Sequence, residues 1–176
     1  MAILPEYNHL GELHSKALEQ KDSLLMDICP YTMIDEHFRY YGSGIAGAIE
    51  GAKAILNAKV NPIALNGPDL IILIPTKSPI RKDCIWLNLH HIKEYKAHSE
   101  KETLILFSNG DTIVIDISTR QLAKRINKGY ILRSMLKERQ NKKLFFVLDP
   151  ETRYHYHRNK GTLNFEMRIE RKKGDN

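Results

Sequence analysis

The chain has 176 residues, room for one ordinary domain or two very small ones, and its 42% hydrophobic content suffices for a real core. Its 27 lysines and arginines against 21 aspartates and glutamates give a net charge of +6, and two cysteines, Cys29 and Cys84, exclude a disulfide framework or a cysteine-rich zinc site. No stretch reaches the roughly 18–20 apolar residues of a membrane helix, and Met1–Glu6 lacks the basic start and apolar run of a secretion signal, so a cytoplasmic protein with no membrane partner is expected.

In chain order, Ile3-Leu4 and Leu24–Ile28 suggest short strands, the second stopped by Pro30. Gly42-Ser43-Gly44-Ile45-Ala46-Gly47 matches G-x-G-x-x-G, but charged and aromatic residues precede it where a dinucleotide site needs a buried apolar strand. It reads as a glycine turn that lets the backbone approach something closely. The run 46–58, rich in Ala, Ile and Leu, predicts a helix with one buried face, weakened at Gly51. Leu70–Ile74, bracketed by Pro68 and Pro75, predicts a buried strand. Ile85, Leu87 and Leu89 alternate with Trp86, Asn88 and His90, the pattern of a half-buried strand. On such a strand His90 and His91 point to opposite faces and share a metal poorly, and His155 with His157 supply only two ligands. No metal or other cofactor is expected.

Leu104–Phe107 and Thr112–Ile117 flank Asn109-Gly110, which predicts a tight hairpin with Leu106 opposite Ile113 and Leu104 opposite Ile115. Ser118 and Gln121 then form a capping box for a helix. Leu122, Ile126 and Tyr130 step along its expected core side, with Arg120, Lys124 and Lys128 opposite. Past Gly129 the apolar Tyr130-Ile131-Leu132 and Met135-Leu136 require burial on more than one side, in the core or against a second subunit.

The fold class these elements give is α+β, an antiparallel, hairpin-rich sheet or meander, with barrel-like closure as one form of it. A basic C-terminal helix and a smaller helix in the first half pack on it. Charge is concentrated in one place. Residues 120–143 hold nine lysines and arginines against Glu138 alone, so the rest of the chain is slightly acidic. Such a patch suits a polyanion, most often nucleic acid. There is no G-x-S-x-G, P-loop lysine or H-E-x-x-H, so an enzyme is not expected. Basic zippers and Cys-His fingers are absent too, and the strand content around the basic segment argues against a helix-turn-helix.

The string Phe38-Arg39-Tyr40-Tyr41-Gly42-Ser43 with Ala46-Gly47 resembles a hallmark of the ComK competence transcription factor family. So do Pro75-Thr76 with Ser78, Arg81, Cys84 and Trp86, then His91–Ala97, Phe107-Ser108-Asn109-Gly110 with Thr112, Ile117-Ser118, and Leu132-Arg133-Ser134 with Arg139. The matches run in order from 38 to 139, and Gly44 departs from the family's serine. The resemblance implies an activator of bacterial competence genes that binds A/T-rich boxes through the minor groove, as homodimers acting in pairs. It implies RNA polymerase and the MecA/ClpC degradation machinery as further partners. Residues 1–150 would be a single DNA-binding domain, and 151–176 a C-terminal extension, mobile or regulatory.

Arg39 and Arg81, which lie on matched positions in glycine- or proline-rich surroundings, are the expected groove contacts, with Lys77 and Lys82 beside Arg81 in the Pro75–Asp83 loop. Arg120, Lys124, Arg125, Lys128, Arg133, Lys137 and Arg139 are expected to meet phosphates, with an internal role open for Arg133. Ile131 and Met135 are the expected dimer contacts. Phe146-Val147-Leu148 with Pro150 resembles the adaptor motif, with Asp149 replacing an aromatic. The competing function class is a pleckstrin-homology-like module that binds lipid or protein.

Overall fold

The computed structural model describes residues 1–58, 60–66, 69–141, 152–158 and 165–171. Its contacts divide into two compact units, residues 1–135 and 136–176.

The first unit begins with a meander of β1 (Ala2–Tyr7), β2 (Leu13–Leu18) and β3 (Ser23–Met26). Asn8 Oδ1 accepts the backbone N–H groups of Leu10 and Glu12, both at 2.9 Å, which ties the β1–β2 turn. Pro30 ends the strand region by opening a helix, α1 (Pro30–Tyr40), where its missing N–H costs nothing. α2 (Ile45–Leu56) follows and stops at Asn57, whose φ of 46° is left-handed. Then come β4 (Ile63–Asn66), β5 (Leu70–Pro75), β6 (Trp86–Asn88) and a 3₁₀ turn, Leu89–His91. A second meander, β7 (Ile92–Ala97), β8 (Thr103–Phe107) and β9 (Thr112–Ile115), leads into the 23-residue α3 (Thr119–Asn141). In the second unit β10 (Thr152–Arg158) pairs antiparallel with β11 (Phe165–Arg171).

The fold is α+β, as the sequence predicts. Its strands form open antiparallel sheets rather than a barrel: six strands in the order β3-β2-β1-β6-β5-β4, three in the order β7-β8-β9, and the β10–β11 pair. Pairing places Ile3, Ala17, Leu73 and Trp86 on one face of the large sheet and Ala2, Ile72, Ile74 and Leu87 on the other. α1 lies over the first face. α3 and the three-stranded sheet cover the second, with Ile72 and Ile74 under Gly129 of α3.

Three expectations need correction. The hairpin register is shifted by one residue: Ile105, not Leu106, faces Ile113, and Thr103, not Leu104, faces Ile115. The loop has three residues, closed by Phe107 N–H donating to the Asp111 carbonyl at 2.9 Å, and Gly110 sits at φ +95°. One extra loop residue turns the strand over, so Ile105 and Phe107 are buried while Leu104 and Leu106 are half-buried.

The alternation at 85–90 also fails. Trp86 and Leu87 are both fully buried, because both faces of the sheet are covered at β6. His90 and His91 belong to the 3₁₀ turn, and their rings meet edge to face at 5.2 Å. The third correction concerns α3, whose buried stripe runs Leu122, Ile126, Gly129, Leu132. Tyr130 is 52% exposed. Steps of four, three and three follow the 3.6-residue period, whereas a repeated step of four drifts off the face.

Candidate nucleic-acid interface

α3 starts where the sequence expects. Ser118 Oγ accepts the Gln121 backbone N–H at 3.4 Å, one half of the capping box. Burying Leu122, Ile126, Gly129 and Leu132 fixes the rotation of the helix. Arg120 and Lys124 are therefore turned fully outward, with Lys128 half-exposed in the same row. Among the described residues these three cations take part in none of the four ion pairs. Their spacing of four residues sets charges about 6 Å apart along the axis, a row that can follow a phosphate backbone.

Arg125, predicted to meet phosphate, turns inward. Its Nη1 donates to the Pro75 carbonyl at 2.7 Å, and burial lowers its pKa. It fastens α3 to the end of β5, where the loop 76–85 begins. This bond brings the basic helix and the basic loop to the same end of the large sheet.

Within the loop, Lys77 and Arg81 converge on one carboxylate. Lys77 Nζ lies 2.8 Å from Asp83 Oδ2, while Arg81 Nε and Nη2 reach Oδ1 and Oδ2 at 2.8 and 3.0 Å. The Arg81 fork, joined by Lys77, holds the Asp83 carboxyl far below the usual carboxylate range. The same bonds raise the Arg81 pKa. Lys82 is exposed and stands near Cys29, the residue capping α1. Asp83 is the residue sequence reasoning missed. Its signal was the adjacent Arg81-Lys82-Asp83, in which a carboxylate can fold back on its own loop.

Arg39 is not brought together with these groups. It lies in the last turn of α1, on the opposite face of the sheet from α3, with Nε 2.9 Å from Asp35 Oδ2. Asp35 Oδ1 accepts the Ile45 N–H at 3.0 Å, which, more than the Arg39 pair, lowers its pKa. The glycine turn thus finds its explanation. Gly42 holds φ +71° to turn the chain from α1 into α2, while a Cβ on Gly44 would make only an ordinary contact, 3.8 Å from Asp35 Oδ1. A helix and not a strand precedes the G-x-G-x-x-G string, and its close neighbour is a carboxylate, which suits no dinucleotide phosphate.

Of the remaining positions, Arg133 is half-buried next to Leu132, Met135 is half-buried, and Ile131 is 51% exposed. Lys137 and Arg139 belong to the second unit, where Lys137 is exposed. Phe146, Val147, Leu148 and Pro150 lie outside the described residues. No helix among the described residues is long and apolar enough to cross a membrane, and no group of three or more metal-ligating side chains occurs among them.

The model of one protein family, described as ComK protein, matches residues 1–141. A protein of Bacillus subtilis (strain 168) named competence transcription factor is 30% identical over 140 residues, 79% of this chain and 72% of the relative. No solved structure matches.

Proposed function

This chain belongs to the ComK protein family, and from that premise we propose that it is a DNA-binding transcription activator of competence genes, acting in the cytoplasm without enzymatic chemistry. It reads A/T-rich boxes through the minor groove. The observation that carries the reading is the outward row Arg120, Lys124 and Lys128 on α3, fastened by Arg125 beside the loop of Lys77, Arg81 and Lys82. The helix row meets phosphates and the loop enters the groove. A-tract minor grooves are narrow and strongly negative, so an extended guanidinium such as Arg81 gains there without base-specific hydrogen bonds.

Homodimers acting in pairs match repeated boxes, with Ile131 and Met135 near the contact. RNA polymerase and MecA/ClpC are the further partners, the latter through Phe146-Val147-Leu148 with Pro150. Residues 1–150 act as the DNA-binding domain, and 151–176 as a regulatory extension.

Gel shifts with an A/T-rich duplex, a G/C-rich competitor, a minor-groove ligand and anionic vesicles test the reading. The A/T duplex should be retained against the competitor and released by the ligand, with log K falling about 0.9 per neutralised phosphate as log salt rises. Preference for G/C-rich DNA, or insensitivity to salt, overturns it. Binding to vesicles in place of DNA selects the pleckstrin-homology-like lipid module.

A further inference from the structure

The two faces of the large sheet are finished differently. Under α3 the side chains of the central strands are sealed: Ala2, Ile72, Ile74 and Leu87 are all buried. On the α1 face Ala17, Leu65 and Trp86 are buried too, but their neighbours Ile3, Ile71 and Leu73 are only half-buried. They floor a groove of about 470 Å³ walled by Met33 and Phe38 of α1. The groove opens onto apolar surface, because Met26 and Tyr40 also line it and Tyr40 is 82% exposed. Leu24, exposed on the edge strand β3 and on the same face as Met26, continues this surface.

Its rim is acidic. Glu19 and Glu36 line it beside the Met1 ammonium and His37, and residues 1–40 carry seven carboxylates against two lysines and Arg39, the reverse of the balance on α3. Open apolar surface with a charged border marks an interaction site. An acidic border disfavours nucleic acid and anionic lipid and favours a cationic partner.

We propose that this groove docks a basic amphipathic segment of a protein partner, apolar side chains seated over Ile3, Ile71 and Leu73 and lysines or arginines facing Glu19 and Glu36. The proposal is independent of DNA binding, since it uses the opposite face of the sheet from α3. It gives an activator two surfaces, one for a polyanion and one for a polycation. The opening at Met26 and Tyr40 suits a segment that continues past the groove, as a bound helix or strand does.

The test uses the full chain and a fluorescent peptide of about 18 residues with leucines on one helical face and lysines on the other. Anisotropy should show saturable binding of this peptide and none of its leucine–glutamate counterpart. Glu19→Lys with Glu36→Lys, both at exposed positions, should weaken binding about tenfold with an unchanged circular dichroism spectrum. Met33→Glu should weaken it further, while Lys93→Glu on the distant β7 should not. Equal affinity for both peptides, or an affinity untouched by the Glu19 and Glu36 reversals, overturns the proposal. So does sedimentation showing that a second copy of the chain occupies the groove.

Discussion

Asp83 decides how much charge the loop offers to a polyanion. Two cations reach one carboxylate, so the Lys77, Arg81 and Asp83 cluster presents one net positive charge instead of two. Asp83→Asn should tighten DNA binding at low salt and steepen the salt slope by about 0.9, read by anisotropy across a salt series. Weaker binding at an unchanged slope would mean that Asp83 chiefly orients the Arg81 fork. The pair also has a pH signature. A carboxyl depressed in the folded state stabilises above its ordinary pKa of about 4, and that stabilisation fades as pH falls through the folded value. The difference in Tm between the parent and Asp83→Asn should accordingly narrow between about pH 5 and pH 2. The helix cations behave differently. Lys124→Ala should weaken all duplexes alike and reduce the salt slope by about one unit, whereas Arg81→Ala should erode the preference for A/T-rich sites. Identical behaviour of the two variants would cancel the division into groove and phosphate contacts.

Gly129 shows how tightly α3 is set on the sheet. A Cβ there would lie 3.1 Å from Leu89 Cδ2 and 3.4 Å from Ile72 Cγ2. Gly129→Leu forces several more atoms into that gap and should cost about 1–3 kcal/mol or more, measured by urea denaturation. A neutral result would show that helix and sheet separate easily. The helix itself, β5 and the strands of the β8–β9 hairpin were legible because their signals are local: a capping serine, an apolar run between prolines, an Asn-Gly turn. β2 was not, since Leu13-His14-Ser15-Lys16-Ala17 earns its place only by pairing along all of β1. α1 hid behind aromatic and charged residues whose buried members, Ile34 and Phe38, declare a face only once the sheet lies beneath them. The hairpin register turned on a single loop residue, and the fate of Arg125 on a carbonyl fifty positions away. Asp83 and Asp35 were visible as letters, but their partners are set by loop and turn geometry. Long-range packing is what a periodicity cannot carry.

At the scale of the whole molecule, the exposed apolar residues on α3 call for a covering surface. Ile131 is 51% exposed on the helix row that carries Arg120, Lys124 and Lys128, and Tyr130 beside it is 52% exposed. The proposed binding to paired boxes calls for a two-fold dimer, because an isologous contact would repeat the basic row at the spacing of the half-sites. Placing the contact at Ile131 and Met135 joins two basic rows end to end and removes the apolar groups from water. The like charges of the two rows oppose such a contact, so apolar burial and the intervening DNA must outweigh their repulsion. Ile131→Glu tests this cleanly, since its side chain lies outside the core and the variant should fold with an unchanged circular dichroism spectrum. Sedimentation should then show a monomer, and affinity for a paired A/T site should fall far more than affinity for a single box. A variant that remains dimeric places the interface on another face, and one that loses equal affinity for both duplexes makes Ile131 a DNA contact.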